Sequence, residues 1–352
     1  MHRISKRQRI AHVLHSTGAL RAILALRANA PLPWLSILTY HRFADPAGDD
    51  SFDEGVVDVT EEDFDLQLGY LKRYFHLIGL EELRGWSAGK KLPPNPLAIT
   101  FDDGYLDCYT RALPILKRHD CRAIFFVSTS FIAERRTYWW DRVAYVIKNS
   151  RRDTLHLEYP APLEIALSGD RSDAIAAVFS LIKDRPLDIG LLLEALGAAA
   201  DVPWTREMDE SVANRLIMTW DHVRALRRAG MAVQSHTRTH RILHGLGPEE
   251  LKDELSGSRA DLERELGEPV RAIAYPVGKP LVSTSPVRAA LESAGYELGF
   301  SNGTGPTALW GRRDCYDIRR QTIGRNLPAS YVLGMLAVPS LAPRPRWRSI
   351  PG

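Results

Sequence analysis

Short apolar runs alternate along most of this chain with longer stretches in which apolar residues recur at helical spacing. The runs cover residues 35–40, 97–101 and 123–127, and helical spacing appears, for example, over residues 220–229 and 248–266. Apolar runs of this length, bounded by polar or turn-forming residues, are typical of buried strands. Strands that alternate with helices in this way predict an α/β fold built on a parallel barrel.

The alternation is interrupted between residues 138 and 217. This segment opens on Trp139-Trp140-Asp141 and then shows mostly helical spacing, as over residues 173–183 and 187–200. We expect a mostly helical insertion, which either covers the functional site and selects the substrate or forms a layer far from it. The two tryptophans are open to two roles, as a stacking platform for sugar rings or as core residues.

The two ends of the chain are basic. Residues 1–33 are predicted to form an N-terminal helix and a linker, residues 34–338 the barrel with its insertion, and residues 339–352 a Pro-rich tail. Six cations and no acid occur in residues 1–30. The N-terminal helix therefore has two interpretations: it rests on anionic lipid headgroups at a membrane surface, or it packs on the barrel with its arginines in solvent.

Composition narrows the range of functions. The 352 residues carry a formal net charge of only +3, so charge gives no reason to expect nucleic-acid binding. Three cysteines form no zinc-type cluster and no even set for a disulfide framework. The sequence shows no secretory signal and no apolar stretch of the ~20 residues that span a bilayer. We therefore expect the protein in a reducing cytoplasm, with a peripheral position at the membrane left open.

Two motifs carry candidate chemistry. Asp102, Asp103 and Gly104 directly follow an apolar strand, which places two carboxylates on a rigid edge with their side chains in different directions. One acid can then bind a metal while the other handles a proton. His236 and His240 are four residues apart and can meet on one face of a helical turn. An acid and two histidines leave a metal coordination position open for water, as in hydrolytic sites.

These residues resemble the polysaccharide deacetylases of carbohydrate esterase family 4. The matching motifs are Thr-Phe-Asp-Asp-Gly-Tyr at residues 100–105, Ser-His-Thr-Arg-Thr-His at residues 235–240 and Ala-Tyr-Pro-Val-Gly at residues 274–278. The resemblance covers roughly residues 35–335 and implies a distorted barrel of about seven strands. It also implies a metal-dependent hydrolase that removes an N-acetyl group from an amino sugar in a saccharide.

The resemblance assigns roles to individual residues. Asp103, His236 and His240 would bind a divalent metal, for which zinc suits the ligand set and cobalt or nickel stays possible. Asp102 would act as the general base. The backbone N–H of Tyr275 would stabilise the oxyanion.

The sequence departs from the family pattern at two places. The family commonly has an arginine where this chain has Ala274, and Arg313 or Arg319 are candidates to orient the base instead. The C-terminal Leu-x-His that supplies the general acid is also absent after Gly311.

A histidine at the other end of the chain can replace it. His41 ends the first strand in the motif Thr-Tyr-His-Arg-Phe, as in rearranged family members that deacetylate poly-N-acetylglucosamine, and we expect it to be the general acid. Two alternatives stay open: a deformylase or deacetylase of a lipid-linked amino sugar, and an inactive homologue that binds carbohydrate.

Overall fold

The computed structural model describes residues 5–30, 32–44, 48, 51–184, 187–282, 284–303, 305–311, 313–324 and 327–342. The predicted basic tail therefore lies outside the described residues beyond residue 342. The strands of the described part are, in chain order, β1 (Trp34–Tyr40), β2 (Arg42–Phe43), β3 (Val57–Val59), β4 (His76–Leu77), β5 (Pro96–Phe101), β6 (Ile124–Val127), β7 (Thr154–Leu157), β8 (Leu163–Ala166), β9 (Ala232–Ser235), β10 (Ala272–Ala274), β11 (Leu298–Ser301), β12 (Thr307–Ala308), β13 (Ile318–Arg319) and β14 (Gln321–Thr322).

Helices follow most of the strands. They are α1 (Lys6–Ser16), α2 (Ala19–Asn29), α3 (Glu61–Tyr74), α4 (Leu80–Ser87), α5 (Leu113–Arg118), α6 (Thr129–Ala133), α7 (Trp139–Asn149), α8 (Arg171–Asp184), α9 (Ile189–Ala200), α10 (Arg206–Leu216), α11 (Trp220–Arg228), α12 (Pro248–Lys252), α13 (Ser258–Leu266), α14 (Pro286–Ser293) and α15 (Ala329–Ala337). A π-helical turn joins α12 to α13, so the helical segment predicted over residues 248–266 is continuous.

A parallel sheet curves into a barrel. The strands β1, β5, β6, β9, β10 and β11 are consecutive neighbours, and each pair is parallel. Next, β13 pairs with β11, and β14 pairs with β1 on the opposite edge. Only Arg320 separates β13 from β14, so residues 318–322 act as one broken strand that nearly closes the sheet. This arrangement, read over the described strands, confirms the predicted distorted barrel of about seven strands.

Every second side chain along each strand points into the barrel interior. Ile37, Ala98, Phe126 and Phe300 belong to one buried apolar cluster. Successive side chains of a strand point to opposite faces, so Thr100 continues the inward face of Ala98 within β5, and Asp102 continues it just beyond the end of the strand. The barrel axis therefore leads from an apolar interior to polar side chains at the carboxyl ends of the strands, where barrel enzymes place their chemistry.

The N-terminal segment forms two helices instead of the one predicted. Gly18 lies between α1 and α2 with φ 78°, a left-handed conformation that a glycine adopts readily and that ends the first helix. Both helices pack on each other and on α15. Arg27 is buried at this contact, where its guanidinium donates to the carbonyl oxygen of Leu336 and to the side-chain oxygen of Asn95. Within the described residues, every helix falls short of the length and apolarity needed to cross a bilayer.

The segment predicted as an insertion contains α7 to α10 together with a hairpin of β7 and β8, which we did not expect. It has a hydrophobic cluster of its own, in which Val143 and Ile147 of α7 pack with Leu192 and Leu196 of α9. Only α6 and a short loop separate the end of β6 from α7, so the chain enters this extra layer from the carboxyl end of a barrel strand.

Packing of α1 on α15 depends on a close contact between two small residues. A Cβ atom on Gly334 would lie 2.9 Å from the Cβ of buried Ala11. We expect Gly334→Ala to lower the free energy of unfolding by about 1–3 kcal/mol, because the added methyl overpacks the contact. The double variant Gly334→Ala with Ala11→Gly moves the methyl across the interface and should recover most of this loss.

Urea denaturation of the wild type, of the single variants Gly334→Ala and Ala11→Gly, and of the double variant measures the effect. Gly69→Ala is the matched control, because a Cβ atom on Gly69 in α3 would have no other atom within 4 Å beyond its chain neighbours and the backbone of its own helix. This variant should have a free energy of unfolding about 0.5–1 kcal/mol higher than the wild type. A Gly334→Ala variant that gains stability like the control would contradict the close contact.

Candidate active site

The acid pair follows β5 at the rim of the barrel. The register places Tyr40 beside Phe101, and the N–H of Asp102 donates to the carbonyl oxygen of Tyr40 at 2.9 Å. Asp103 then takes φ 72° and Gly104 φ 89°. A Cβ on Gly104 would lie 3.3 Å from the side chain of Val127, so this position also requires a small residue. Two left-handed residues in a row turn the chain sharply, which points the two carboxylates in different directions.

The two histidines meet through a loop and not through the helical turn that we predicted. His236 extends β9, and Thr237 and His240 have φ of 67° and 57° in the loop that follows. Buried Glu254 supports this loop because one of its carboxylate oxygens accepts hydrogen bonds from the N–H groups of Arg238 and Thr239, each at 2.9 Å. The spacing of four residues was therefore a correct signal for proximity, but the backbone that produces it is different.

Three ligand atoms converge at the predicted metal site. The Oδ1 atom of Asp103 lies 3.3 Å from the Nε2 atom of His236 and 3.3 Å from that of His240, and all three lie within 4.8 Å of one another. This Oδ1 is buried and has no hydrogen bond. The Nδ1–H of His236 donates to the carbonyl oxygen of Ala274 at 2.9 Å, which leaves a lone pair on Nε2.

A divalent metal fits this arrangement. A buried carboxylate oxygen without a hydrogen bond faces two imidazole nitrogens, and one acid with two histidines is a donor set typical of catalytic zinc. Burial alone would raise the pKa of the Asp103 carboxyl, yet the adjacent imidazoles of His236 and His240 hold it well below its usual range. The carboxyl group is therefore ionised and ready to bind a cation.

Asp102 forms an ion pair inside the barrel with Arg320. The two guanidinium nitrogens donate to the two carboxylate oxygens at 2.7 Å each, and both side chains are buried. Burial favours the neutral acid, but the charge and hydrogen bonds of Arg320, together with the charges of His236 and His41, lower the pKa of Asp102 below its ordinary value. The guanidinium also lies over the ring of Phe126, at 5.4 Å from the ring centroid. Arg320 therefore holds the carboxylate ionised and fixed.

The arginines that we proposed for this role were wrong. Arg313 stacks over Trp86, and Arg319 is exposed with its N–H bound to Thr307. The sequence held one signal for Arg320: it lies two residues after Ile318, so in a strand both side chains share a face. We had not predicted a strand there, because β13 and β14 have only two residues each.

His41 lies next to Asp102 on the rim, since it follows Tyr40 on the neighbouring strand. Its Nδ1 atom lies 3.0 Å from the Oδ2 atom of Asp58. The same Oδ2 atom accepts a hydrogen bond from the backbone N–H of His41 at 2.5 Å. Burial lowers the pKa of His41, but the charge and hydrogen bond of Asp58, with help from Asp103 and Asp102, raise it to about 9. Burial raises the pKa of Asp58 to about 6 despite His41. At neutral pH the pair is therefore charged, and 19% of the imidazole side chain is exposed.

Asp58 is a residue of the site that the motifs in the sequence do not indicate. In the structure it lies in β3, the short strand beside β2. Valines flank it on both sides, and this alternation was the available signal for a strand.

Tyr275 is not placed as we predicted. Its backbone N–H donates to the carbonyl oxygen of Phe300 at 3.0 Å, within the pairing of β10 with β11. Its buried hydroxyl donates to the carbonyl oxygen of Tyr316 at 2.8 Å. An amide has one hydrogen, so this N–H cannot stabilise an oxyanion unless the sheet bond breaks.

The first residues of α7 form one wall of the site. The ring of Trp140 lies 5.0 Å from that of His240, and its Nε1–H donates to the hydroxyl of Tyr105 at 2.7 Å. That hydroxyl donates in turn to buried Asp141 at 2.6 Å. Burial raises the pKa of Asp141 to about 6. Trp140 is therefore a packing residue and not a sugar platform, while half-buried Trp139 packs edge-on against it.

Comparison with known proteins links this chain to polysaccharide deacetylases. A sequence model of the polysaccharide deacetylase family matches residues 89–166 and 196–299. YxkH of Bacillus subtilis (strain 168), whose name places it in the same family, is 26% identical over 121 residues, which are 34% of this chain and 42% of that protein. The chain thus spans less than half the length of this curated relative.

Three solved structures share the fold. The Streptococcus pyogenes deacetylase PplD in complex with acetate has a TM-score of 0.54 at 19% identity, over 86% of this chain and 98% of PplD. IcaB from Ammonifex degensii has a TM-score of 0.52 at 18% identity, over 87% of this chain and 97% of IcaB. A de-N-acetylase from Aggregatibacter actinomycetemcomitans has a TM-score of 0.51 at 15% identity, over 85% of this chain and 98% of that protein. At these identities the likeness establishes the fold alone.

Removal of the buried arginine should destabilise the protein strongly. Arg320→Met leaves the Asp102 carboxylate buried without a partner, and we expect the free energy of unfolding to fall by about 3–5 kcal/mol. The neighbouring exposed Arg319 provides a matched control, for which Arg319→Met should change stability by less than about 0.5 kcal/mol. Urea denaturation of metal-free protein at pH 7 measures both.

A second variant separates charge from packing. Asp102→Asn in the Arg320→Met background removes the unpaired charge and should restore part of the lost stability. Equal losses for the two single arginine variants would contradict the role of the ion pair.

Proposed function

The chain belongs to the polysaccharide deacetylase family, and from this premise we propose that it is a metal-dependent hydrolase that removes an N-acetyl group from an amino sugar. One observation carries the proposal: the Asp103, His236 and His240 ligand atoms converge beside an ionised Asp102 and a protonated His41. Hydrolysis of an amide needs an activated water, a polarised carbonyl and a proton for the leaving amine, and this rim offers a group for each.

The metal would be held by Asp103, His236 and His240, most readily as zinc, with cobalt or nickel as alternatives. When bound, such a metal lowers the pKa of a coordinated water toward about 7 and polarises a carbonyl oxygen. Asp102 lies next to this position, with Oδ2 3.9 Å from the Nε2 atom of His236. Each carboxylate oxygen keeps a second acceptor site beyond its bond to Arg320, so Asp102 can take the proton from the attacking water.

Departure of the amine requires an acid on the same rim. His41 is suited to this step because Asp58 binds its Nδ1 side and keeps the imidazole protonated at neutral pH. Its Nε2 has no hydrogen bond to any described residue, so that N–H can donate to the nitrogen of the breaking bond. Asp58 keeps its negative charge and stabilises the imidazolium before transfer.

An amino sugar is the substrate class that fits best. The family name indicates a saccharide, and one structural neighbour is a de-N-acetylase while another holds acetate. A formyl group, or an amino sugar on a lipid carrier, is the closest alternative. An inactive homologue is disfavoured because Arg320 pairs with Asp102 and His41 with Asp58, so these two residues can take the roles of the missing arginine and C-terminal histidine.

The direct test is release of acid from N-acetylglucosamine oligomers by the zinc-loaded protein. We expect acetate in stoichiometric amounts with free amine, and formate only if the alternative acyl group is correct. Binding of the oligomers without release of either acid, over a panel of chain lengths, would refute the proposal in favour of a carbohydrate-binding protein.

The two adjacent aspartates should separate metal binding from catalysis. Asp103→Ala, His236→Ala and His240→Ala should each reduce bound metal and turnover together, because each removes a ligand. Asp102→Asn should keep the metal and lower turnover by about 10²–10⁴, since only a base is removed. Metal content by mass spectrometry and acetate release measure the two effects. Loss of metal in Asp102→Asn with retention in Asp103→Asn would reverse the assignment.

The alkaline limb of the pH profile should report His41. Turnover needs the protonated imidazole, so activity is present below its pKa and is lost as pH rises through about 9. Asp58→Asn removes the charge that raises this pKa, and the limb should move down toward about 6.5. Turnover at pH 8 should then fall by about tenfold or more with the metal still bound.

His244→Ala is the control for this experiment, because His244 is the other histidine close in sequence to the metal site. It should leave the alkaline limb unchanged, while His41→Ala abolishes the limb and most of the turnover. Near-normal turnover in His41→Ala would remove the general-acid assignment.

A further inference from the structure

The outward face of the N-terminal helix pair combines exposed aliphatic side chains with cations. On α1, Ile10 is 51% exposed and Val13 56% exposed, and on α2, Leu26 is 68% exposed. Lys6 and Arg9 lie on the same face of α1 as the two aliphatic residues, at spacings of three and four residues. On α2, the exposed residues Arg21 and Leu26 lie about 140° apart around the helix axis, on the two flanks of the side opposite Leu20 and Leu24. We call Lys6, Arg9, Ile10, Val13, Arg21 and Leu26 together the helix-pair face.

Both helices present this face on one side of the molecule. Each packs on α15 through its opposite side, which buries Ala11 of α1 together with Leu20 and Leu24 of α2. Two neighbouring helices that rest on the same support must point their other sides away from it together. The exposed aliphatic residues therefore do not contribute to the packing of the barrel. Packing in the core does not explain why these positions are apolar.

Charge identifies the partner. Residues 1–30 contain no acid, although the chain holds 43 aspartates and glutamates. Lys6, Arg9 and Arg21 are exposed, and none has an ion pair with a described residue. Cations without acids repel a cationic partner, and exposed aliphatic side chains gain most from an apolar phase. A surface that offers negative charge above an apolar layer is the headgroup region of an anionic bilayer.

We propose that the helix-pair face holds this protein at an anionic membrane surface. The aliphatic side chains insert at the boundary of headgroups and acyl chains, while the lysine and arginines extend to lipid phosphates. This inference is independent of the deacetylase activity, and neither the metal site nor His41 contributes to it.

Sedimentation of the full chain with vesicles tests the proposal. Binding is expected to vesicles of equimolar phosphatidylcholine and phosphatidylglycerol, and not to phosphatidylcholine alone. The triple variant Lys6→Gln, Arg9→Gln and Arg21→Gln should bind the anionic vesicles about a hundredfold more weakly. Higher salt should weaken wild-type binding in the same direction.

The aliphatic arm distinguishes a bilayer from a soluble anionic polymer. The triple variant Ile10→Gln, Val13→Gln and Leu26→Gln keeps good helix formers and every cation, and should still bind about tenfold or more weakly. Leu66→Gln with Leu191→Gln is the matched control, since these leucines are 50% and 49% exposed on other helices.

Each outcome has a consequence. Weaker binding in both triple variants, with the leucine control unchanged and all melting temperatures similar, supports the proposal. Loss of binding in the cation variant alone would assign the face to an anionic polymer and overturn it. Equal binding to neutral vesicles, equal loss in the leucine control, or no binding by the wild-type chain would overturn it as well.

Discussion

The ion pair between Asp102 and Arg320 is the interaction on which the rest of the site depends. A carboxylate at the mouth of an apolar barrel is unstable as a charged group unless a partner satisfies it within the same low-dielectric space. The partner comes from the last strand position of the barrel, between β13 and β14. Closure of the sheet and ionisation of Asp102 are therefore one structural event. Apolar residues further down the barrel, such as Phe126, exclude water from that contact.

Backbone conformations that are unfavourable for most residues are concentrated around the ligand atoms. Asp103, Thr237 and His240 all have positive φ, which costs a non-glycine residue about 1 kcal/mol or more. Hydrogen bonds from the surrounding structure offset this cost, with Glu254 beneath the histidine loop as the main contributor. The backbone is therefore strained at these three residues, where a simple turn would not be. This strained conformation is what brings the three ligand atoms together.

Features with a long or repeated signal could be predicted from the sequence. The apolar run before Asp102, the spacing of His236 and His240 and the helical period over residues 248–266 all extend over several residues, and the predictions from them agree with the structure in kind. The partners of the site could not be predicted with the same rules. Asp58 and Arg320 lie in or beside strands of two or three residues, too short for a period to emerge, and their role comes from neighbours far apart in sequence.

The order in which the site's parts appear along the chain has a consequence for synthesis. His41 is translated early, the acid pair follows, and Arg320 is made almost 280 residues after His41. Until the ribosome has released that last strand, β11 and the carboxyl-terminal half of β1 are open sheet edges and Asp102 lacks its cation. Under the proposed function, a nascent chain can therefore carry all three metal ligands before Asp102 has gained the arginine that keeps it ionised, so the base is the last part of the site to be completed.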